Sequence, residues 1–141
     1  MSRTWLEELS GPQCAELLAI SWMGRLAVMV DDHPEIFPVN HAFDPVTGDI
    51  AFRSRPGTKL HAAIAAPWVA FEVDGVDGED GSGWSVLVVG RAEELTDRHE
   101  IEHMVRLRKA HWALSEQSRW LRIRPVRVTG RRISEAHRVG A

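Results

Sequence analysis

Short apolar runs, cut at close intervals by Gly, Pro and Asp, constrain this chain more than any other feature. Arg25–Val30, Ile36–Phe43, Val69–Val73, Trp84–Leu95 and Arg119–Ile133 each read as a strand, and a further strand opens at Ile50. Between them lie turn signals such as Asp31-Asp32-His33-Pro34 and Asp44-Pro45-Val46-Thr47-Gly48. Helical spacing is confined to Pro12–Ile20, Lys59–Ala66 and Arg98–Ala110, the last capped by Thr96-Asp97, while 112–118 fits neither period. Six strands joined mostly as hairpins predict a mainly β fold. A closed or half-closed antiparallel barrel with flanking short helices fits better than a parallel doubly wound sheet. Pro38 predicts an edge or a bulge, because proline cannot donate to a ladder. Gly90, and the shift of apolar phase across Pro125, predict a second irregularity.

A length of 141 residues suits one domain with one core, taken as 1–141. The net charge of -3 argues against a general nucleic-acid binder, which carries a basic excess. With Cys14 as the sole cysteine there is no disulfide framework and no zinc-type cysteine cluster. The opening Met1-Ser2-Arg3 leads into Trp5-Leu6-Glu7-Glu8, which is no apolar signal region, and no apolar run is long enough for a bilayer. The expectation is a cytoplasmic protein without membrane or nucleic-acid partners.

The chemistry concentrates in Ile50–Leu60, I-A-F-R-S-R-P-G-T-K-L. A strand with Ile50 and Phe52 on one face breaks at Pro56-Gly57, and a helix restarts with Thr58 as the expected N-cap. Arg53, Arg55 and Lys59, with the hydroxyls of Ser54 and Thr58, surround that helix start. A helix N-terminus presents free N–H donors and partial positive charge. The cluster therefore reads either as a phosphate monoester site or as a solvated basic turn.

Other motifs are weaker. The Gly-rich loop D-G-V-D-G-E-D-G-S-G at 74–83 carries four acidic side chains that would repel phosphate, so it reads as a hairpin connection. His99-Glu100-Ile101-Glu102-His103 matches H-E-x-x-H, the zinc hydrolase pattern. On a helical wheel, Ile101, Met104, Val105 and Leu107 form the apolar face and both histidines fall opposite, so no walled metal site is expected. Cys14 reads as a core thiol. His41 reads equally as ligand-facing or as a buried structural histidine. The arginines at 119, 122, 124, 127, 131 and 132 read mostly as the solvent face of the last strand. No catalytic acid or base can be assigned.

The order G-R-L-A-V, F-P-V-N-H-A-F-D, G-D-I-A-F-R-S-R-P-G-T-K-L, G-W-S-V-L-V-V-G-R-A and W-L-R-I-R-P-V-R-V-T-G-R-R-I resembles the pyridoxamine 5'-phosphate oxidase-like, FMN-binding split-barrel family. More narrowly, it resembles the small bacterial members of uncertain substrate. The resemblance implies a six-stranded Greek-key split barrel and a homodimer with two flavins in grooves between the subunits. Arg53, Ser54, Thr58 and Lys59 match positions that hold the flavin phosphate and ribityl chain, on the strand that also carries Phe52. Pro38, Val39 and Asn40 match the strand along the isoalloxazine edge. Trp84 and Ser85 match a position that closes on the ring. The implied activity is that of a flavin-dependent oxidoreductase acting on an unknown small molecule. FMN is the expected cofactor, and the deazaflavin coenzyme F-420 its alternative. A carrier or sensor of the cofactor is the rival reading. From Gly130-Arg131-Arg132-Ile133 onward the chain lacks the Arg-Leu-His tail that resembles the oxidase's substrate-phosphate clamp, which argues against vitamin B6 oxidation. For the homodimer, Val86, Val88, Leu121 and Ile123 are the apolar strand faces expected to need a partner, with Trp84 and Trp120 as anchors.

Overall fold

The structure is a computed structural model that describes residues 2–55, 57–79, 81–108 and 119–137, with side chains throughout except at 2–5, 58–60 and 135–137. Chain order is β1 (Ser2–Glu8), α1 (Gly11–Ile20), β2 (Met23–Val30), β3 (His33–Phe43), β4 (Ile50–Ser54), α2 (Thr58–Ala65), β5 (Val69–Val76), β6 (Gly83–Leu95), α3 (Arg98–Leu107) and β7 (Arg119–His137). The six expected strands are present as β2–β7, and β1 is a seventh that the sequence reading missed. The predicted helical residues 109 and 110, and the stretch 112–118, lie outside the described residues.

All pairings are antiparallel, in the order β1-β7-β4-β3-β2-β5-β6, and a further pairing of β6 with β7 closes β2–β7 into a barrel. Following the register round from β4 through β3, β2, β5 and β6 returns to β7 about ten residues along, the stagger that closure with tilted strands requires. Along one edge of β7, β4 holds 119–123 and β1 holds 131–137. The barrel is split between those two stretches, and α1 packs there. Its sequence start is a capping box, Ser10 Oγ accepting from Gln13 N–H while the Gln13 side chain accepts from Ser10 N–H. Gly130 permits the close approach: a Cβ there would stand 2.5 Å from Cys14 Sγ. Cys14 is the buried core thiol that the sequence indicates, and burial raises its pKa.

Alternation puts Leu26, Phe37, Phe71 and Val88, one row of the register, inside the barrel. Phe52, Ile50, Val73, Val86, Leu121 and Ile123 fill the rest of the core. This corrects the expectation for Val86, Val88, Leu121 and Ile123: each is at most 2% exposed in this one chain, so none needs a second copy to cover it. The bulge expected at Gly90 and Pro125 occurs as a register shift between Val89 and Gly90, which leaves Val126 as the extra residue.

The outer wall has two halves. Over Ala42, Ala51, Leu95 and Trp120, α3 lays Met104, with Ile101, Val105 and Leu107 at its margin. Asp97 caps α3 by accepting from the N–H groups of His99 and Glu100. The other half, formed by β3, β2, β5, β6 and the middle of β7, has no helix over it among the described residues.

Candidate flavin site

The break after β4 gathers its neighbours in a way the sequence only partly shows. Ser54 pairs in register with Arg119 at the start of β7, and α2 brings in His61. Ser54, Arg55, Gly57, His61, Ile64 and Arg119 line a small cleft at this end of the barrel. Gly57, not Thr58, is the N-cap, and no side chain caps the helix; Thr58 is the first helical residue. The side chains of Thr58 and Lys59 lie outside the described residues. Ser54 is buried and its hydroxyl donates to the Arg55 carbonyl at 2.8 Å. Arg119 pairs with Glu94 at 3.3 Å. His61 and Arg119 were missed, because their nearness to Ser54 comes from tertiary pairing.

Arg53 and Ser54 point to opposite faces of β4, as successive strand residues must. Arg53 lies on the outer wall beside Trp120. Continuing the β3–β4 register one step beyond His41 and Phe52 sets Asn40 across from Arg53. Parity supports this: His41 N–H donates to Trp22 on the β2 side, and Asp44 N–H donates to Asp49 on the β4 side. By the same parity Pro34, Ile36, Pro38 and Asn40 turn their backbone toward β4, whose ladder with β3 stops at His41. Pro38 thus sits on a strand edge, as its missing N–H requires. Val39, paired with Gly24, points to the barrel interior. Asn40 Oδ1 is buried and has no hydrogen-bond partner among the described residues. A buried acceptor without a donor is costly, so this atom invites one from a ligand.

The remaining expected residues are dispersed. Phe52 is fully buried and offers a ligand no side-chain surface. Trp84 lies over Gly75 on the inner side, and Ser85, its neighbour, points outward opposite Asp74 and Arg131. By way of β7, Ser85 is two strands from Arg53 and ten residues from Leu95 along β6, roughly 33 Å of strand. By the other way it is four strands round. One chain therefore does not place Ser85 beside Arg53. His41 is buried, its Nε2 donating to the Leu18 carbonyl at 3.2 Å, and desolvation lowers its pKa. Burial thus favours its neutral form, and its Nδ1 is buried with no partner among the described residues.

Both histidines of H-E-x-x-H are exposed, as the helical wheel indicates. They also line an open cleft of about 260 Å³ with Asp44, Asp49, Glu100 and Arg122, which the wheel does not show. His103 Nε2 lies 3.0 Å from Asp44 Oδ2. Arg122, with a side chain 11% exposed, pairs with Glu100 at 3.3 Å and hydrogen-bonds Glu93 at 2.9 Å through Nε. It is not part of a solvent face. Glu100 is thereby paired with a largely buried cation. Among the described residues no group of three His, Cys, Asp or Glu converges as a metal site. The cleft reads as the polar seam that docks α3 onto the β3–β4 turn.

A six-stranded closed barrel, split along one strand and bearing a cationic strand–helix break at its end, defines the class. The chain belongs to the pyridoxamine 5'-phosphate oxidase family, whose model matches residues 10–132. It is 34% identical over 131 residues to an uncharacterised Mycobacterium tuberculosis protein, covering 89% of this chain and 84% of that one. Among solved structures it is similar to the FAD-binding protein from Mycobacterium smegmatis, with TM-score 0.78, 35% identity, and coverage of 91% and 98% of the two chains. An FAD-binding protein from Mesorhizobium loti gives TM-score 0.76 and 29% identity, with 90% and 97% covered. No helix among the described residues is long and apolar enough to cross a membrane.

Proposed function

We propose that this protein binds a flavin nucleotide at the corner formed by Asn40, Arg53 and the start of α2, and uses it as an oxidoreductase on a small molecule. The observation that carries the reading is the Asn40 acceptor, buried without a donor next to a cationic strand position. The imide edge of an isoalloxazine ring supplies such a donor. The residues fit the group in kind: Arg55, His61 and Arg119 line the strand–helix break, with Arg53 on the outer face of β4 just before it, where a phosphate would accept from the first backbone N–H groups of α2. Two solved relatives described as FAD-binding support a flavin.

When bound, the flavin supplies the hydride or electron transfer, and the chain contributes binding and orientation. Arg53 and Lys59 would neutralise phosphate, Asn40 would set the ring's polar edge, and Pro38 keeps that edge free of a competing strand. FMN is the form the sequence favours. The relatives described as FAD-binding make FAD the second candidate, and the deazaflavin remains the third. Because Ser85 and Arg53 are far apart in one chain, we propose that the groove is shared between two copies, Trp84 and Ser85 coming from the second.

Mass spectrometry of ligands released from purified protein, followed by titration with FMN, FAD and the deazaflavin, tests the reading. A bound flavin with reduction by NAD(P)H or a reduced deazaflavin supports an oxidoreductase. Bound flavin that no donor reduces supports a carrier, and no flavin binding removes the proposal.

A further inference from the structure

The cationic cleft at the end of the barrel has a carboxylate beside it, which an anion site does not need. Ser54 and Arg119 are register partners, and Leu121, two residues beyond Arg119, pairs with Glu94 of β6. Side chains alternate along a strand, so Ser54, Arg119, Leu121 and Glu94 belong to one face. Leu121 is part of the barrel core, which makes that face the inner one, at the mouth of the barrel. Glu94 and Arg119 are diagonal neighbours there, a spacing that long side chains can bridge. Arg119 Nε meets Glu94 Oε1 at 3.3 Å.

That contact is single and loose. A charge-assisted hydrogen bond is closer, about 2.7–2.9 Å, and an arginine that recognises an oxyanion well does so at two points. The two side chains are 48% and 32% exposed, so the pair is screened by water and contributes little to the fold. Arg55 and His61, which line the same cleft, have no ion pair or hydrogen bond among the described residues. Glu94 is therefore the one carboxylate that engages the cations of this cleft among the described residues. A phosphate entering the cleft either draws Arg119 away from Glu94 or comes to rest beside a second negative charge. Both outcomes oppose binding, and both oppose it more strongly as the charge on the phosphate grows.

We propose that Glu94 is a specificity residue of the flavin site: it restrains Arg119 and penalises the terminal phosphate of FMN more than the internal phosphates of FAD. The proposal rests on the flavin reading above and deepens it by naming what biases the choice between the two nucleotides. The terminal phosphate of FMN is a monoester, with a charge of about -1.5 to -2 near neutral pH. Each internal phosphate of FAD is esterified or bridged on two sides and carries a single charge. Arg119 is the phosphate ligand that β7 adds to the strand–helix break, and Glu94 sets how readily it is released. A carboxylate that served instead to aim Arg119 at the phosphate would act with the opposite sign.

Titration of the full chain with FMN, FAD and riboflavin at low salt tests this on the wild type, Glu94→Gln, Arg119→Gln and the double variant. Circular dichroism checks folding, which Glu94→Gln should spare because it keeps the size of the side chain and removes only a half-exposed pair. Glu94→Gln should tighten FMN about three- to fivefold, the effect of one screened charge pair. It should tighten FAD less and leave riboflavin unchanged. Arg119→Gln should weaken FMN, and most of the gain from Glu94→Gln should vanish in the double variant. FMN affinity that is unchanged or weaker in Glu94→Gln overturns the proposal, as does an equal gain for riboflavin. A gain as large for FAD as for FMN overturns the bias between nucleotides, and a gain undiminished in the double variant overturns the restraint of Arg119. If no flavin binds the wild type or Glu94→Gln, the flavin reading falls and takes this inference with it. Flavin that binds without responding to Glu94→Gln sinks this inference alone.

Discussion

The two halves of the outer wall share β3, β6 and β7 and differ in what lies over them. Under α3, the outward positions are Ala42, Ala51, Leu95 and Trp120, with Trp120 8% exposed. On the open half the corresponding positions are Ala27, Ala70, Val89 and Leu87, ringed by arginine. The charges differ in the same way. Arg122, beneath α3, is largely buried and met by Glu93 and Glu100. Arg25, on the open half, is half exposed and shared between Glu72 and Asp74. Beneath α3 the charges are enclosed in a network, whereas on the open half Arg25 alone is seen to serve Glu72 and Asp74, with Arg127 and Arg131 on a separate strand.

The largest expected effect is on the covered half. Trp120→Ala should cost about 3–5 kcal/mol, the range for a large aromatic removed from a packed site, whereas Ile36→Ala should stay within about 0.5 kcal/mol as an exposed substitution. Urea unfolding of both at low protein concentration measures the contrast, and equal losses would erase it. Next, Arg122→Met leaves Glu100 without its arginine and Glu93 with Arg124 alone, at 2.8 Å, and should cost about 1–3 kcal/mol, while Arg25→Met, on a half-exposed pair, should cost at most about 1 kcal/mol. The same unfolding curves decide this pair.

Two smaller effects are directional and depend on pH. Glu72 has its folded pKa raised to about 7, above the ordinary carboxylate value, so it lowers stability progressively as pH rises from that ordinary value to about 7. Glu72→Gln should therefore remove part of the fall in stability between pH 5 and pH 8, measured on monomer. Asp44 behaves oppositely. Burial raises its carboxyl, but hydrogen bonds from Val46 N–H and His103 outweigh this and hold it below the usual range. Its contribution is complete above the ordinary carboxylate pKa and is lost as pH falls through the depressed one. Asp44→Asn should flatten the acid limb of the stability profile, and an unchanged limb would show that the α3 seam does not titrate there.

How far the sequence discloses this arrangement follows from the range of each signal. Hairpins are local, so β2–β6 were readable from apolar runs and turn residues, and the bulge was readable from Gly90 and the broken phase at Pro125. β1 was not readable, because Ser2–Glu8 has little apolar alternation and is held by pairing with residues 131–137. The helical wheel of α3 was right about Met104, yet a wheel cannot show that the β3–β4 turn rises beside His103. The strand–helix break at Pro56-Gly57 was legible as a cationic site. That Arg119 and His61 join it, and that Arg53 and Ser54 part to opposite faces, follows from the register and the period of a strand. The choice of Val86, Val88, Leu121 and Ile123 as partner-facing treated apolar content as exposure. Closure of the barrel puts these side chains inside and leaves smaller residues for the surface.

The most direct test of the central claim is an absorbance titration of purified protein with FMN, repeated with Arg53→Ala and Asn40→Ala and with riboflavin against Lys59→Ala. The account predicts one flavin per chain. Arg53→Ala should weaken FMN by about 1.5–3 kcal/mol, roughly 10- to 150-fold, the cost of losing a hydrogen bond to a charged group. Asn40→Ala should weaken FMN and riboflavin alike, and Lys59→Ala should leave riboflavin untouched while weakening FMN. No saturable binding, or full affinity in both Arg53→Ala and Asn40→Ala, would contradict it.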